Sequence, residues 1–192
     1  MNLKQKTISG LSWSFIESFS RYGLTFFISI ILARLLSPAD FGLVGMTAIF
    51  FAISKTFIDS GFSQALIRKQ DTTDTDLSSV FYLNIFFGIC FFFIIFFSAP
   101  LISNFLNEPK LTALVQVIAI SLIIGSLTSI QQTILIKRID FKLQTKISII
   151  STIVAGTVSI TMALKGFGVW SLVISGLISQ TVSSILLWFW NN

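Results

Sequence analysis

Six long apolar stretches, at 8–33, 41–66, 77–102, 111–136, 143–164 and 167–190, dominate the sequence. Each is long enough to cross a hydrocarbon core of about 30 Å, which takes about 20 helical residues at about 1.5 Å each. Within lipid, every backbone N–H and C=O must be paired inside its own segment, so a chain built this way folds as helices packed side by side. The expected fold is an all-α integral membrane protein, a single six-transmembrane-helix bundle over residues 1–192. Composition agrees, with 54% hydrophobic and 11% charged residues where soluble domains carry about 25% charged.

The first stretch follows Lys4 and Lys6, as a secretory signal would. It is too long for the apolar core of a signal, is interrupted by Glu17 and Arg21, and has no small-residue cleavage site, so it reads as a helix of the mature protein. The breaks between stretches carry helix-start chemistry. Ser37-Pro38-Ala39-Asp40 offers an N-cap serine, a proline at the first helical position and an acid behind it, and Thr73-Asp74-Thr75-Asp76 repeats the cap without proline. Asn107-Glu108-Pro109 and Gly166-Phe167-Gly168 mark two further turns.

Histidine is absent and Cys90 is the single cysteine. Disulfides within the chain, zinc sites of the Cys/His kind and histidine-dependent catalysis are excluded, and neither metal nor cofactor is expected. The net charge of +5 does not point to nucleic acid, because the basic residues are scattered between apolar runs and form no solvated face. They read as topology signals. Lys4, Lys6, Arg68, Lys69, Lys137, Arg138, Lys142 and Lys146 fall on one side of the expected membrane, and only Arg34, Lys110 and Lys165 on the other. The positive-inside rule then places both termini in the cytoplasm. The chain ends on Trp188-Phe189-Trp190-Asn191-Asn192 directly after an apolar stretch, on a side that should carry basic anchors, which suggests a C-terminal truncation.

Four charges sit inside the first two stretches: Glu17 and Arg21, then Lys55 and Asp59. Each pair is spaced i, i+4 and shares a helix face. Arg21 and Lys55 both fall roughly 20 Å from the start of their helices, which run in opposite directions, so both lie near mid-membrane. A charge there costs about 2.5–3.5 kcal/mol on the insertion scale, so the four are expected to face protein or a wet cavity rather than lipid. Ser14, Ser18 and Thr25 extend the stripe through Glu17 and Arg21, and Thr47 weakly extends that of Lys55 and Asp59. The candidate substrate-binding residues are Arg21, Lys55, Glu17, Asp59 and, from the fourth stretch, Gln131. Guanidinium grips phosphate oxygens in pairs, so an anionic substrate is the natural inference, with structural ion pairing as the alternative. Gln116, Ser126, Ser129 and Gln132, then Ser148, Ser151, Thr152 and Ser159, could line a cavity or bind helices together. The third stretch, with Phe86, Phe87, Phe91, Phe92, Phe93, Phe96 and Phe97, leaves no polar side.

Two short matches are decoys. Asp74-x-Asp76 copies the metal motif of nucleotide-sugar glycosyltransferases without the soluble domain in which it works, and capping by Thr73 and Asp76 explains it better. Asp40-Phe41-Gly42 copies the kinase magnesium motif with no phosphate loop or catalytic loop around it.

The stretch Leu32-Ala33-Arg34-Leu35-Leu36-Ser37-Pro38-Ala39-Asp40-Phe41-Gly42-Leu43 resembles the segment joining the first two helices of polysaccharide exporters in the multidrug/oligosaccharidyl-lipid/polysaccharide flippase superfamily. The likeness continues through Asp59-Ser60-Gly61-Phe62 with Ala65-Leu66-Ile67, through Asp76-Leu77-Ser78-Ser79-Val80-Phe81-Tyr82-Leu83-Asn84, and through Ala99-Pro100-Leu101-Ile102 with Phe105. It ends in Arg138-Ile139-Asp140-Phe141-Lys142 and Gly166-Phe167-Gly168-Val169-Trp170-Ser171-Leu172. The branch it is most similar to is that of lipopolysaccharide, colanic acid and teichuronic acid exporters. The resemblance implies a two-lobe transporter of the bacterial inner membrane, of which this chain is the N-terminal lobe and a missing C-terminal lobe is the partner. It implies that an undecaprenyl-pyrophosphate-linked oligosaccharide is flipped to the outer leaflet by alternating access. The rival functions are a drug/cation antiporter of the same superfamily, a membrane enzyme of polysaccharide assembly, and a non-transporting piece that assembles with another protein.

Overall fold

The computed structural model describes residues 3–59, 66–67, 73–138 and 140–190. Six long helices make up these residues: α1 (Leu3–Leu35), α2 (Pro38–Asp59), α3 (Asp74–Phe105), α4 (Leu111–Arg138), α5 (Phe141–Leu164) and α6 (Trp170–Trp190). The all-α membrane bundle read from the sequence is the fold observed. Among the described residues, five helices are long and apolar enough to cross a membrane, α2 to α6. At 33 residues α1 has the length, and Ser18, Ser20, Arg21 and Thr25 dilute its apolarity.

Helix boundaries follow from capping chemistry. At the start of α2 the Ser37 Oγ accepts from the Asp40 N–H at 3.3 Å, while Asp40 Oδ2 accepts from the Ser37 N–H at 3.0 Å and from its hydroxyl at 2.7 Å. Thr73 and Asp76 build the same reciprocal box at the start of α3, so Asp76 is a capping residue and the metal-motif reading of this segment falls. Asp140 caps α5 by accepting from the Leu143 N–H at 3.1 Å. At the end of α3, Asn107 takes φ 53°, with its own N–H reaching Asn104 O and the Glu108 N–H reaching Ser103 O. At the end of α5, Gly166 takes φ 79°, with the Gly166 and Phe167 N–H groups reaching Ala163 O and Met162 O. Both are Schellman endings that satisfy the last carbonyls of a helix. Gly168, at φ 54°, extends that turn and delays α6 to Trp170, three residues past the expected start.

Helices in lipid gain little from hydrophobic burial against one another, so close packing and interhelical hydrogen bonds decide the arrangement. α3 lies along α4, α4 and α5 each pack on α6, α1 lies along α5, and α2 rests on α3, α4 and α6. α3 meets α4 where Gly88 faces Ser126: a Cβ on Gly88 would stand 2.6 Å from Ser126 Oγ and 3.2 Å from Leu122 O. One helix turn away the fully buried Asn84 donates to Ser129 Oγ at 3.4 Å. The third stretch therefore does have a small and polar side, through Asn84 and Gly88, and turns Tyr82, Phe86, Ile89, Phe93 and Phe97 outward at helical spacing. α5 and α6 are bonded through Ser159 Oγ to Ser171 O at 2.9 Å and Ser175 Oγ to Ala155 O at 3.3 Å. Gly156 of α5 lets Ile28 of α1 settle against its backbone.

The two ends of the bundle differ. At the end holding the α1–α2, α3–α4 and α5–α6 turns, three apolar clusters fill the interior: Ile95, Ala99 and Ile102 with Val115 and Ala119; Leu43 with Leu111, Leu114, Val169 and Val173; and Leu32 and Leu36 with Ala163. Towards the α4–α5 turn, among the described residues, Leu135, Ile147 and Leu187 tie α4, α5 and α6 together. α1 and α2 are consecutive but pack on different helices, and the space between their supports remains open.

Candidate functional site

That space is a cavity of about 750 Å³, within the range that small-molecule sites occupy, about 300–1,000 Å³. Five helices line it: α1 through Arg21, α2 through Phe51 and Lys55, α4 from Ser121 to Gln132, α5 from Gln144 to Thr152 and α6 from Gly176 to Leu187. On α4, α5 and α6 these segments lie towards the α4–α5 turn, so the cavity occupies the half of the bundle away from the three apolar clusters.

Helical periodicity explains the lining. On α5 Gln144, Ser148, Ser151 and Thr152 recur at three- and four-residue steps, and on α6 Gly176, Ser179, Gln180 and Ser183 do the same. On α4 the sequence Ser121, Gly125, Thr128, Ser129, Gln132 keeps that phase. Several hydroxyls also donate to their own helix, as Thr128 Oγ1 does to Ile124 O at 2.7 Å and Ser151 Oγ to Ser148 O at 3.1 Å. Gln180 reaches across from α6, its Nε2 donating to Ser121 O at 2.9 Å. It passes over Gly125, where a Cβ would stand 2.7 Å from that nitrogen.

The charge in the cavity comes from α1 and α2. Arg21 is half-buried, with its guanidinium carbon 4.8 Å from the centroid of the Tyr22 ring, a cation–π contact. Lys55 is exposed along the same cavity. Two cations that entered the sequence on separate, oppositely directed helices are thus brought to one space. Among the described lining residues there is no carboxylate, and the described residues hold no cluster of His, Cys, Asp and Glu suited to a metal. Glu17 and Asp59 lie on α1 and α2, but their side chains are outside the described residues.

Gln131 is not among the described residues that line this cavity, whereas the adjacent Gln132 is. Successive helical residues point about 100° apart, and Gln132, not Gln131, continues the phase of Gly125, Thr128 and Ser129. Ser126, Ser129, Ser148, Ser151 and Thr152 reach the cavity, whereas Ser159 is spent in binding α5 to α6. Sequence reasoning missed Gln144 on α5, and on α6 Gly176, Ser179, Gln180 and Ser183, whose three- and four-residue spacing is diluted by the apolar residues around them.

The polysaccharide biosynthesis protein family model matches residues 31–192. The chain belongs to this family. It is 26% identical over 186 residues to the lipopolysaccharide biosynthesis protein WzxC of Escherichia coli, covering 96% of this chain and 37% of that protein. It is 28% identical over 188 residues to the teichuronic acid biosynthesis protein TuaB of Bacillus subtilis, covering 97% and 39%. It is 26% identical over 178 residues to the succinoglycan biosynthesis transport protein ExoT of Rhizobium meliloti, covering 92% and 36%. The chain thus spans less than two fifths of the length of these relatives. No solved structure matches it. With its membrane-spanning helices, the chain is a multi-pass membrane protein of a polysaccharide biosynthesis family.

Proposed function

We propose that this chain is the N-terminal lobe of a flippase that moves an undecaprenyl-pyrophosphate-linked oligosaccharide from the inner to the outer leaflet of the bacterial cytoplasmic membrane. The observation that carries the reading is the convergence of Arg21 and Lys55, each inside a long helix, on one polar cavity. Intramembrane cations are costly and mark substrate paths, and a pyrophosphate supplies the compact double anion that a guanidinium and an ammonium can share. Hydroxyls and amides from α4, α5 and α6 complete a lining able to solvate sugar.

The packing supports alternating access. Among the described residues, three apolar clusters fill one end of the bundle and the cavity lies towards the other, an arrangement that supports a site reached from one side. By the distribution of basic residues the open end faces the cytoplasm, where the lipid-linked precursor is made, and both termini lie on that side. The second lobe, from the remainder of a protein as long as its relatives, supplies the opposing wall.

The test uses the full-length transporter in a strain lacking its own. Replacing Arg21 and Lys55 together by leucine is expected to abolish surface polymer while the lipid-linked precursor accumulates in the inner leaflet and protein abundance stays normal. Undiminished surface polymer from that variant contradicts the reading.

A further inference from the structure

The cavity has two chemically different walls. Both cations stand on α1 and α2; the lining from α5 and α6 is neutral, made of hydroxyls and amides. On that wall Gln144 is half-buried and lines the cavity, and its Oε1, turned in against protein, has no hydrogen-bond partner. A rotation of the amide about its last torsion brings that oxygen to the cavity, where a ligand hydroxyl can satisfy it, and buried polar groups are normally satisfied. Gln180, in contrast, has its Nε2 fixed on Ser121 O, which orients the amide and leaves its carbonyl oxygen for another partner. One helix turn from Gln180, on the side away from Gln144, Gly176 borders open space, with no atom within 4 Å of where a Cβ would stand. A fixed amide, an unspent amide, hydroxyls at Ser148 and Ser179, and a vacant glycine face form a wall that offers donors and acceptors together but no charge.

We infer that the α5–α6 wall is a subsite for a neutral sugar ring, with Gln144 and Gln180 hydrogen-bonding its hydroxyls while Arg21 and Lys55 hold the adjoining pyrophosphate. The inference rests on the lipid-linked reading of the cavity and adds to it the place and the chemistry of sugar recognition. A ring hydroxyl both donates and accepts, as an amide and a serine do, so a neutral polyol satisfies this wall and an anion does not. A site built to hydrogen-bond a hydroxyl discriminates strongly against a ligand that lacks it, because its own groups are then left unpaired. Gln144 is therefore a specificity residue for the sugar next to the phosphate.

The experiment measures binding to the purified full-length transporter of two probes, undecaprenyl pyrophosphate and the same lipid bearing one neutral hexose. The wild type should bind the glycosylated probe more tightly. Gln144→Leu should cost the glycosylated probe about tenfold in affinity, the scale of one well-made hydrogen bond, and change the sugar-free probe less than about twofold. Gly176→Leu projects a bulky side chain into the open space with no clash at its Cβ, and should show the same selective loss. It decides the matter if Gln144→Leu does not yield folded protein. Arg21→Leu should weaken both probes alike. Equal binding of the two probes by the wild type, or equal loss of both in Gln144→Leu and Gly176→Leu, overturns the sugar subsite, as does a wall merely hydrated, for which neither variant changes either affinity. If Arg21→Leu leaves both affinities intact while the selective losses remain, the phosphate assignment fails and the sugar subsite stands.

Discussion

The turn between α1 and α2 is predicted to be clipped to the turn between α5 and α6 through Asp40 and Gly168. Asp40 Oδ2 is held by the Ser37 N–H and hydroxyl, and Oδ1 sits 3.3 Å from where a Cβ on Gly168 would stand. The same carboxylate faces the Val169 backbone and feels the Lys110 ammonium, so three turns converge on one side chain. Asp40→Ala removes two exposed hydrogen bonds to a charged acceptor, one of them half of a capping box, a loss of about 1–2 kcal/mol. Gly168→Ala forces a residue with a Cβ to hold φ 54°, which costs about 1–2 kcal/mol, and in addition pushes on the carboxylate. In the Asp40→Ala background the push is gone and only the backbone cost remains. The double variant should therefore be more stable than the sum of the single effects implies, by about 0.5–1 kcal/mol, the coupling expected of residues in contact. Equilibrium unfolding of the full-length protein in mixed micelles, across the four members of the cycle, measures it. Strict additivity, or an Asp40→Ala protein as stable as the wild type, refutes the clip.

Gly88→Ala drives a methyl group into Ser126 and Leu122 O and should destabilise the protein by about 1–3 kcal/mol through overpacking; adding Ser126→Gly should restore most of the loss in the same unfolding assay. In a version lacking Cys90, single cysteines at Ser37, Lys110 and Lys165 should react with an impermeant thiol reagent outside intact spheroplasts while one at Lys142 should not, and labelling at Lys142 would reverse the proposed orientation. Residues 1–192 expressed alone should insert in the membrane but fail to restore surface polymer to a flippase-deficient strain, because one lobe has no opposing wall to rock against; restoration by this chain alone would favour a homodimer.

Much of the fold could be read from local chemistry. Long apolar runs cross the membrane with few alternatives, and Ser37, Asp40, Thr73 and Asp76 cap helices through contacts within four residues, which sequence displays directly. The cations at Arg21 and Lys55 were legible because a charge inside an apolar run has few tolerable surroundings. The neutral side of the cavity was less so. A serine or glutamine in a membrane helix can bond its own backbone, a neighbouring helix or a cavity, and only the packing of α4, α5 and α6 distinguishes Ser159, spent on Ser171, from Ser148, which faces the cavity. Gln131 and Gln132 show the limit most clearly: they are adjacent and alike, and the helix phase that separates them is set by which side of α4 packs on α3. Gly88 and Gly125 likewise read as unremarkable until Ser126 and Gln180 are found lying against them.

The central claim, that Arg21 serves a substrate rather than only its i, i+4 neighbour Glu17, is tested most directly by changing the two together. Export and protein abundance are measured for Arg21→Ala, Arg21→Lys and the double variant Glu17→Leu with Arg21→Leu in the full-length transporter. A purely structural pair predicts that the single loss strands a buried carboxylate and that the double replacement recovers folding and export together. Substrate binding predicts a double variant at normal abundance that exports nothing, and an Arg21→Lys variant that exports in part because the charge remains while the bidentate fork is lost. A double variant with full export would contradict the account.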